Sequence, residues 1–339
     1  MRLIKTEDAV GHVLCHDMTQ IIKDQYKDAR FRKGHVVTEE DIPVLLSMGK
    51  EHLYVWEMTS GMVHENDAAE RLLALCGQEN MIRSGVKEGK IELEAACDGV
   101  FLVDSARLVA VNSQDEVMIA TRKGGMAVRE GDKLAGMRVI PLIIEEEKLR
   151  KAEQAAGDKP LLSLKPYVRK TACIVATGGE VKKGLIKDTF TPVVIDKLKT
   201  YGIETLEVVY SGDGVENVRD AVLTMREKKP DMILCTGGMS VDPDDNTPGG
   251  IKAAGANIIA YGAPVLPGAM FLLGYFDDGM PVMGLPGCVM YAGATVFDLV
   301  LPKIAADVPV TRADIAALGE GGLCLGCKPC HYPICPFGK

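Results

Sequence analysis

ILCTGGMSVDPDDNTPGG, residues 233–250, is the stretch on which the fold turns. An apolar run, Ile233-Leu234-Cys235, stops at Thr236-Gly237-Gly238, and Asp242, Asp244 and Asp245 follow closely. A short apolar run bounded by glycines reads as a buried strand handing over to a loop. Glycines let a backbone approach a ligand, and successive amides form an anion-binding nest. Carboxylates beside such a nest would repel an anion unless a cation stands between them. Magnesium fits that role, because it takes carboxylate and phosphate oxygens and keeps several waters. Asp242, Asp244 and Asp245 are therefore candidate Mg2+ ligands. Asp245 is the first choice as metal or acid–base residue, with Asp242 and Asp244 as helpers and Ser240 as a phosphate contact. The plainer reading is that one of these aspartates caps a helix starting near Thr247-Pro248.

Outward from this stretch, a strand–loop–helix rhythm runs from about residue 170. TACIVAT (171–177), ETLEVVY (204–210), DMILC (231–235) and MPVMGL (280–285) read as strands. TFTPVVIDKLKTYG (189–202) reads as a helix capped by Thr189 and closed by Gly202. Its Phe190, Val193, Val194, Leu198 and Tyr201 form one face. VENVRDAVLTMREKK (215–229) reads as a helix with Val215, Val218, Val222 and Met225 inward, and another helix is expected near 289–301. This alternation predicts an α/β domain, a mostly parallel sheet flanked by helices. Ligands of such sheets bind beyond the carboxyl ends of the strands, near a topological switch. Three glycine turns fall at such ends: Thr177-Gly178-Gly179-Glu180, Thr236-Gly237-Gly238-Met239-Ser240 and Leu285-Pro286-Gly287-Cys288. Lys182, Lys183 and Lys187 offer a local basic patch or a solvated surface.

The 339 residues leave room for two or three domains, and the composition (47% hydrophobic, 25% charged) is that of a globular protein. We expect an N-terminal α+β module over 1–60. In it, Asp41 caps a short helix with Pro43 in its first turn, Gly49 ends that helix, and 52–56 forms a strand. Helix 66–76 follows. A small β-rich module over 61–144 is expected from KIELEAA, GVFLVD, LVAVN, EVMIATR and KLAGMRVIPLII, separated by Asp-Gly, Gly-Gly and Gly-Asp turns. A helical linker spans 145–169, the α/β domain 170–310 and a cysteine-rich tail 311–339. Net charge is −8, which argues against a nucleic-acid binder working through bulk charge. MRLIKTEDAVGHVL has no long apolar core, and no run of about 18 apolar residues occurs, so neither a signal peptide nor a membrane span is expected. The expected location is the cytoplasm.

Ten cysteines are present. Cys15, Cys76, Cys97, Cys173, Cys235 and Cys288 are scattered, mostly in apolar surroundings, as buried small hydrophobes. Four crowd CLGCKPCHYPICPFGK (324–339): Cys324, Cys327, Cys330 and Cys335, spaced C-x2-C-x2-C-x4-C. Four thiolates so close in sequence suit a soft metal centre. The proline after Cys335 is shared with a ferredoxin run whose last gap is one residue shorter. An iron–sulfur cluster and a zinc ion, with His331 as an alternative ligand, both remain open. His12, His16, His35, His52 and His64 show no paired metal spacing apart from His12 and His16 at i, i+4, and are expected to be structural.

TGGMSVDPDD resembles the TGG-x-S-V-G-x-x-D signature of the molybdopterin-binding domain of molybdenum-cofactor biosynthesis proteins. The order VATGGEV, KDTF, ILCTGGMSV, GAPVLPGAMF, PVMGLPGC over about 170–306 is similar to that of molybdopterin molybdotransferases. FRKGHVVTEEDIPVLLSMGKEHLYV resembles a segment that precedes this domain in the same family. The resemblance implies pterin-phosphate or nucleotide contacts from Thr177, Gly178, Glu180, Asp188, Thr236, Gly237, Gly238 and Ser240. Asp245 matches the signature's final aspartate, and Pro267, Gly268, Pro286 and Gly287 match later loops. Asp242 stands where the signature has glycine, with Pro243 after it. Gly179 replaces an acidic residue, Cys288 an asparagine, and the Ser-x-Met-Asp-Gly-Tyr-Ala type motif of the molybdotransferase N-terminal half is missing.

Three functions follow as expectations. One is an enzyme that binds molybdopterin or its adenylate with Mg2+ in a late step of cofactor assembly, with molybdate insertion as its reaction. The second is a carrier or sensor of the mature cofactor, whose tail reports redox state or docks to a molybdoenzyme client. The third is a nucleotide pyrophosphatase. A homo-oligomer is expected, with neither nucleic acid nor membrane as partner.

Overall fold

The computed structural model describes residues 2–22, 26–55, 61–179, 185, 187–242 and 245–339. The chain forms two compact units. The first is Met1–Ala96, Val103–Gly124 and Gly131–Ser163, and the second is Cys97–Leu102, Gly125–Glu130 and Leu164–Lys339.

In the first unit, strand His52–Val55 pairs antiparallel with Arg2–Lys5, and Met18–Ile22 pairs with Tyr26–Phe31. Leu14, Leu45, Leu53 and Val55 form a buried core beneath them. Helix Asp41–Ser47 starts where expected, but Asp41 is its first residue rather than its cap. The Asp41 carboxylate reaches back to accept from the Thr38 amide (2.8 Å). Helix Glu65–Leu75 is capped by His64, whose ring accepts from the Asn66 amide. A four-stranded antiparallel sheet follows in the order Met81–Arg83, Ile91–Ala95, Lys133–Val139, Val117–Thr121.

The strand expected at LVAVN is instead part of helix Ser105–Asn112. A run this short does not separate the two periodicities, and Asp104 decides the matter by accepting from the Arg107 amide (3.0 Å). Helix Glu146–Ala156 buries Leu149, Ala152 and Ala156 and ends at Gly157.

The second unit holds the α/β domain. Its elements are β1 (Thr171–Thr177), α1 (Phe190–Lys199), β2 (Glu204–Ser211), α2 (Val215–Glu227), β3 (Met232–Thr236) and α3 (Thr247–Ala253). They continue with β4 (Asn257–Tyr261), β5 (Leu272–Tyr275), β6 (Pro281–Leu285), α4 (Val296–Ala305) and α5 (Arg312–Ala317). One sheet runs β2-β1-β3-β6-β5-β4. The first four neighbours are parallel, and β5 is antiparallel to both β6 and β4. From β1 the chain moves outward to β2, then crosses back to β3 on the other side of β1. That reversal is the topological switch.

The continuous apolar runs follow from burial on both faces. Ala172 and Ile174 of β1 join Val194 and Leu198 of α1 and Phe297, Val300 and Ile304 of α4 in one core. Cys173 and Val175 join Val218, Val222 and Met225 of α2 and Ile251 of α3 in the other. Val215, expected inward, is 37% exposed, because the inward stripe of α2 begins one turn later. The expected Thr189 cap is not made. Asp188 caps α1 instead, its Oδ1 accepting from the Phe190 (2.9 Å) and Thr191 (3.0 Å) amides. Gly202 closes the end with φ +68°.

At the amino edge, Asp231 ties β3 to β1. Its Oδ2 accepts from the Lys170 amide (2.7 Å), the Thr171 amide (2.9 Å) and the Thr171 hydroxyl (2.9 Å). Burial works to raise its pKa, but these bonds and the Arg169 charge outweigh it and hold the carboxyl below its ordinary value. A depressed folded pKa means stability that is present above the unfolded value, about 3.9, and is lost as pH falls through the folded one. Asp231→Ala should cost on the order of 2 kcal/mol at neutral pH. The difference between wild type and variant should shrink below about pH 4, which urea unfolding across pH checks.

Candidate ligand-binding site

The register pairs Thr177 with Ser211, and Thr236 with Ala176 and Leu285, so the carboxyl ends of four parallel strands lie within one residue of each other. Because β5 runs backwards, its first residue, Leu272, pairs with Gly284 and Tyr261 on this same edge. The loop 262–271, which carries Pro267 and Gly268, therefore belongs to the edge as well. Sequence-predicted residues from four loops thus share one rim of the sheet.

The tightest part lies at the switch between β1 and β3. The Thr177 hydroxyl donates to the Thr236 carbonyl (2.9 Å) and lies 3.1 Å from the Thr247 hydroxyl. Thr247 also donates to the Gly237 carbonyl (2.8 Å), and its amide to the Gly238 carbonyl (3.1 Å). Thr177, Thr236 and Thr247 are buried. Gly237 has φ +81°, and a Cβ there would stand 2.3 Å from the Thr177 carbonyl oxygen. The two predicted turns are thus in direct contact, and glycine is what lets them touch.

Beyond the knot, Asp245 Oδ2 accepts from the Ser240 amide (2.9 Å), and the Asp245 amide donates to the Asp242 carbonyl (2.9 Å). The predicted phosphate contact and the predicted acid thus brace one loop. The Tyr261 hydroxyl donates to the Met239 carbonyl (3.0 Å) on the same loop. Burial, with the nearby Asp245 charge, raises the Tyr261 pKa. The Gly179 amide donates to Asp213 Oδ2 (3.0 Å), and the Gly178 amide faces the Ser211 carbonyl (3.3 Å).

Asp188 is half-buried beside Tyr210 of β2. Burial works against its charge, but the Thr191 hydroxyl, the Thr191 and Phe190 amides and the Tyr210 hydroxyl together lower its pKa. Pro286 and Gly287 open a 3-10 turn on the same edge, and burial raises the pKa of the adjacent Cys288 thiol. Pro267 accepts through its carbonyl from the Val296 amide (3.3 Å), fastening its loop to the start of α4.

Glu180, Lys182, Lys183, Pro243 and Asp244 lie outside the described residues, and Lys187 is exposed. Ser211, Asp213, Thr247 and Tyr261 were not anticipated. Ser211-Gly212-Asp213-Gly214 is a fourth glycine-bearing strand end, which the same rule would have found. Among the described residues the edge carries Asp188, Asp213, Asp242 and Asp245 against Lys187. No three of the described histidines, cysteines and acids are gathered to hold a metal ion. Cys235 lies at the centre of the sheet, and burial pushes its thiol up to about 12, so it is no nucleophile. The edge offers amides and carboxylates for binding, orientation and proton handling.

Residues 173–306 match a family profile described as a probable molybdopterin binding domain. Residues 3–57 match a domain of unknown function (DUF8806). A CinA-like protein from Mycobacterium tuberculosis is 33% identical over 76 residues, 22% of this chain and 18% of that protein. The chain therefore spans under a fifth of the length of that curated relative. A structure of the molybdopterin biosynthesis Mog protein from Mycobacterium ulcerans aligns over 41% of this chain and 99% of its own, at 20% identity and TM-score 0.35. A molybdenum cofactor biosynthesis protein from Pyrococcus furiosus aligns over 93% of this chain and 64% of its own, at 13% identity and TM-score 0.27. No helix among the described residues is long and apolar enough to cross a membrane.

The contact at Gly237 predicts a large effect from one methyl group. Gly237→Ala should destabilise the domain by roughly 2–3 kcal/mol, through positive φ and the clash with Thr177. Ser240→Ala, whose amide bond to Asp245 is retained, should stay within about 0.5 kcal/mol of wild type. Denaturant unfolding of both variants measures the difference.

Proposed function

We propose that the carboxyl edge of this sheet binds molybdopterin or its adenylate, and that the protein acts in a late step of molybdenum cofactor biosynthesis. The observation that carries this reading is the contact of the Gly237 turn with Thr177 at the switch point. It sits inside the segment that matches a probable molybdopterin binding domain. In this reading the phosphate of the ligand lies against the turn Gly237-Gly238-Met239, which the bonds of Thr177 and Thr247 hold in place. Asp188 fixes the start of α1 beside it.

An edge this acidic needs a cation to accept a phosphate. With no ready-made ligand trio among the described residues, magnesium would be held by one or two carboxylates plus the ligand's own oxygens, its usual manner. Asp245, Asp242 and Asp244 are its protein ligands in this proposal. The ion supplies charge neutralisation at the phosphates. The protein's part is electrostatic positioning rather than a covalent nucleophile. A carrier or sensor that binds the cofactor without turnover is the second reading. It is favoured by the missing Ser-x-Met-Asp-Gly-Tyr-Ala type motif.

Titration of the full chain with molybdopterin and with its adenylate, with and without magnesium, tests the binding. We expect magnesium-dependent heat, weakened about tenfold (~1.4 kcal/mol) in Asp245→Asn. Addition of molybdate to the adenylate complex then separates the readings: release of AMP marks the enzyme, and retention of intact ligand the carrier. No heat with either pterin compound sinks both. Hydrolysis of a dinucleotide without pterin affinity would make the protein a pyrophosphatase.

A further inference from the structure

The segment from Cys324 to Gly338 contains no helix or strand, yet it is fastened closely to the α/β domain. At its root the Leu266 amide donates to Gly322 (2.8 Å) and the Cys324 amide to Leu266 (2.8 Å), on the loop that carries Pro267 and Gly268. At its far end Phe337 is buried (2% exposed), and the Tyr332 hydroxyl donates to the Asp298 carbonyl of α4 (3.0 Å). The Gly338 amide donates to Gly321 (2.9 Å), so the two ends of the loop meet. A loop this long without secondary structure is uncommon in a compact domain unless it has a function. The two aromatic anchors fix its outer end, and Cys324 and Cys335 pack partly buried against the same core, while its centre at Cys327 and Cys330 is exposed.

That centre is where the sulfurs are. Cys324, Cys327, Cys330 and Cys335 all line one recess of about 360 Å3, together with Pro267 and Gly293. All four thiols are free, Cys327 and Cys330 are exposed, and none of the four is fully buried. A Cβ on Gly293 would come within 2.7 Å of the Cys330 sulfur, so Gly293 leaves room for it.

A single tetrahedral zinc with bonds of about 2.3 Å needs its sulfurs about 3.8 Å apart. The recess of about 360 Å3 that the four cysteines line is larger than the space a single ion would fill. An iron–sulfur cluster spreads its cysteines over different iron atoms and so asks for more widely placed sulfurs around a larger space. We propose that Cys324, Cys327, Cys330 and Cys335 ligate one iron–sulfur cluster in this recess. The four thiols lose their protons on binding, and the iron and sulfide of the cluster fill the centre of the loop. This assignment does not depend on what binds at the carboxyl edge, although the Pro267 and Gly293 walls place the cluster against two of the loops of that edge.

The full chain, kept free of oxygen with excess dithiothreitol, is incubated with ferric iron, which the thiol reduces in part, and sulfide, then desalted and assayed for iron, acid-labile sulfide and visible absorption. We expect iron and sulfide in equal amounts and a broad charge-transfer band. All of these should fall at least severalfold in Cys327→Ala, an exposed position whose loss leaves the core intact. Gly293→Val should also lower cluster content, while far-UV circular dichroism stays at the wild-type level. Tight zinc binding in place of iron and sulfide overturns the proposal. So does pairing of the four cysteines as disulfides, or a cluster whose yield is unchanged in Cys327→Ala.

Discussion

The approach of the Gly237 backbone to Thr177 is the constraint around which the α/β domain is arranged. A Cβ at Gly237 would meet the Thr177 carbonyl at 2.3 Å, so the two strands at the switch point can end side by side only if one of them ends in glycine. The Thr177, Thr236 and Thr247 bonds then have short distances to cover, and buried hydroxyls find partners that water would otherwise supply. With those bonds made, the Gly237 turn is held at the carboxyl edge, where such sheets hold ligands.

Much of this was legible in the sequence because burial on both faces leaves a plain mark. Three strands of the sheet, β1, β3 and β6, are unbroken apolar runs, and each stops at glycine or proline where the structure turns. What could not be read depended on partners far away in the chain. Asp188 rather than Thr189 caps α1, because the choice rests on which side chain reaches the Phe190 amide. LVAVN became helical because Asp104 offered a cap. Val215 faces outward because α2 meets the sheet one turn later than its apolar stripe begins. Residues 97–102 and 125–130 join the second unit through pairings that no local pattern announces. Ser211-Gly212-Asp213-Gly214 has the same form as the other glycine turns, but only the fold shows that Asp213 reaches the Gly179 amide.

The polar residues of the carboxyl edge serve the fold as well as any ligand. Asp245 braces its own loop through the Ser240 amide, Asp188 caps a helix, and Asp213 holds Gly179. An edge whose charges are already employed in this way is preorganised: its groups need little rearrangement to meet a guest. The same employment means that replacing an acid here disturbs loop geometry and charge together, so conservative exchanges such as Asp to Asn are the more informative ones.

The reversed strand β5 has a consequence for how this domain can vary. Were all six strands parallel, each connection would have to cross the sheet to start again at the far side. Because β5 turns back directly between β4 and β6, one ordinary hairpin loop is delivered to the rim where three crossover loops and the loop after β6 already open. That loop can lengthen, shorten or acquire an attachment without altering any helix-bearing crossover. In this chain it has acquired one: Leu266 grips the start of the cysteine segment. The rim is thereby tied to a segment from outside the sheet, and the hairpin is where the two meet.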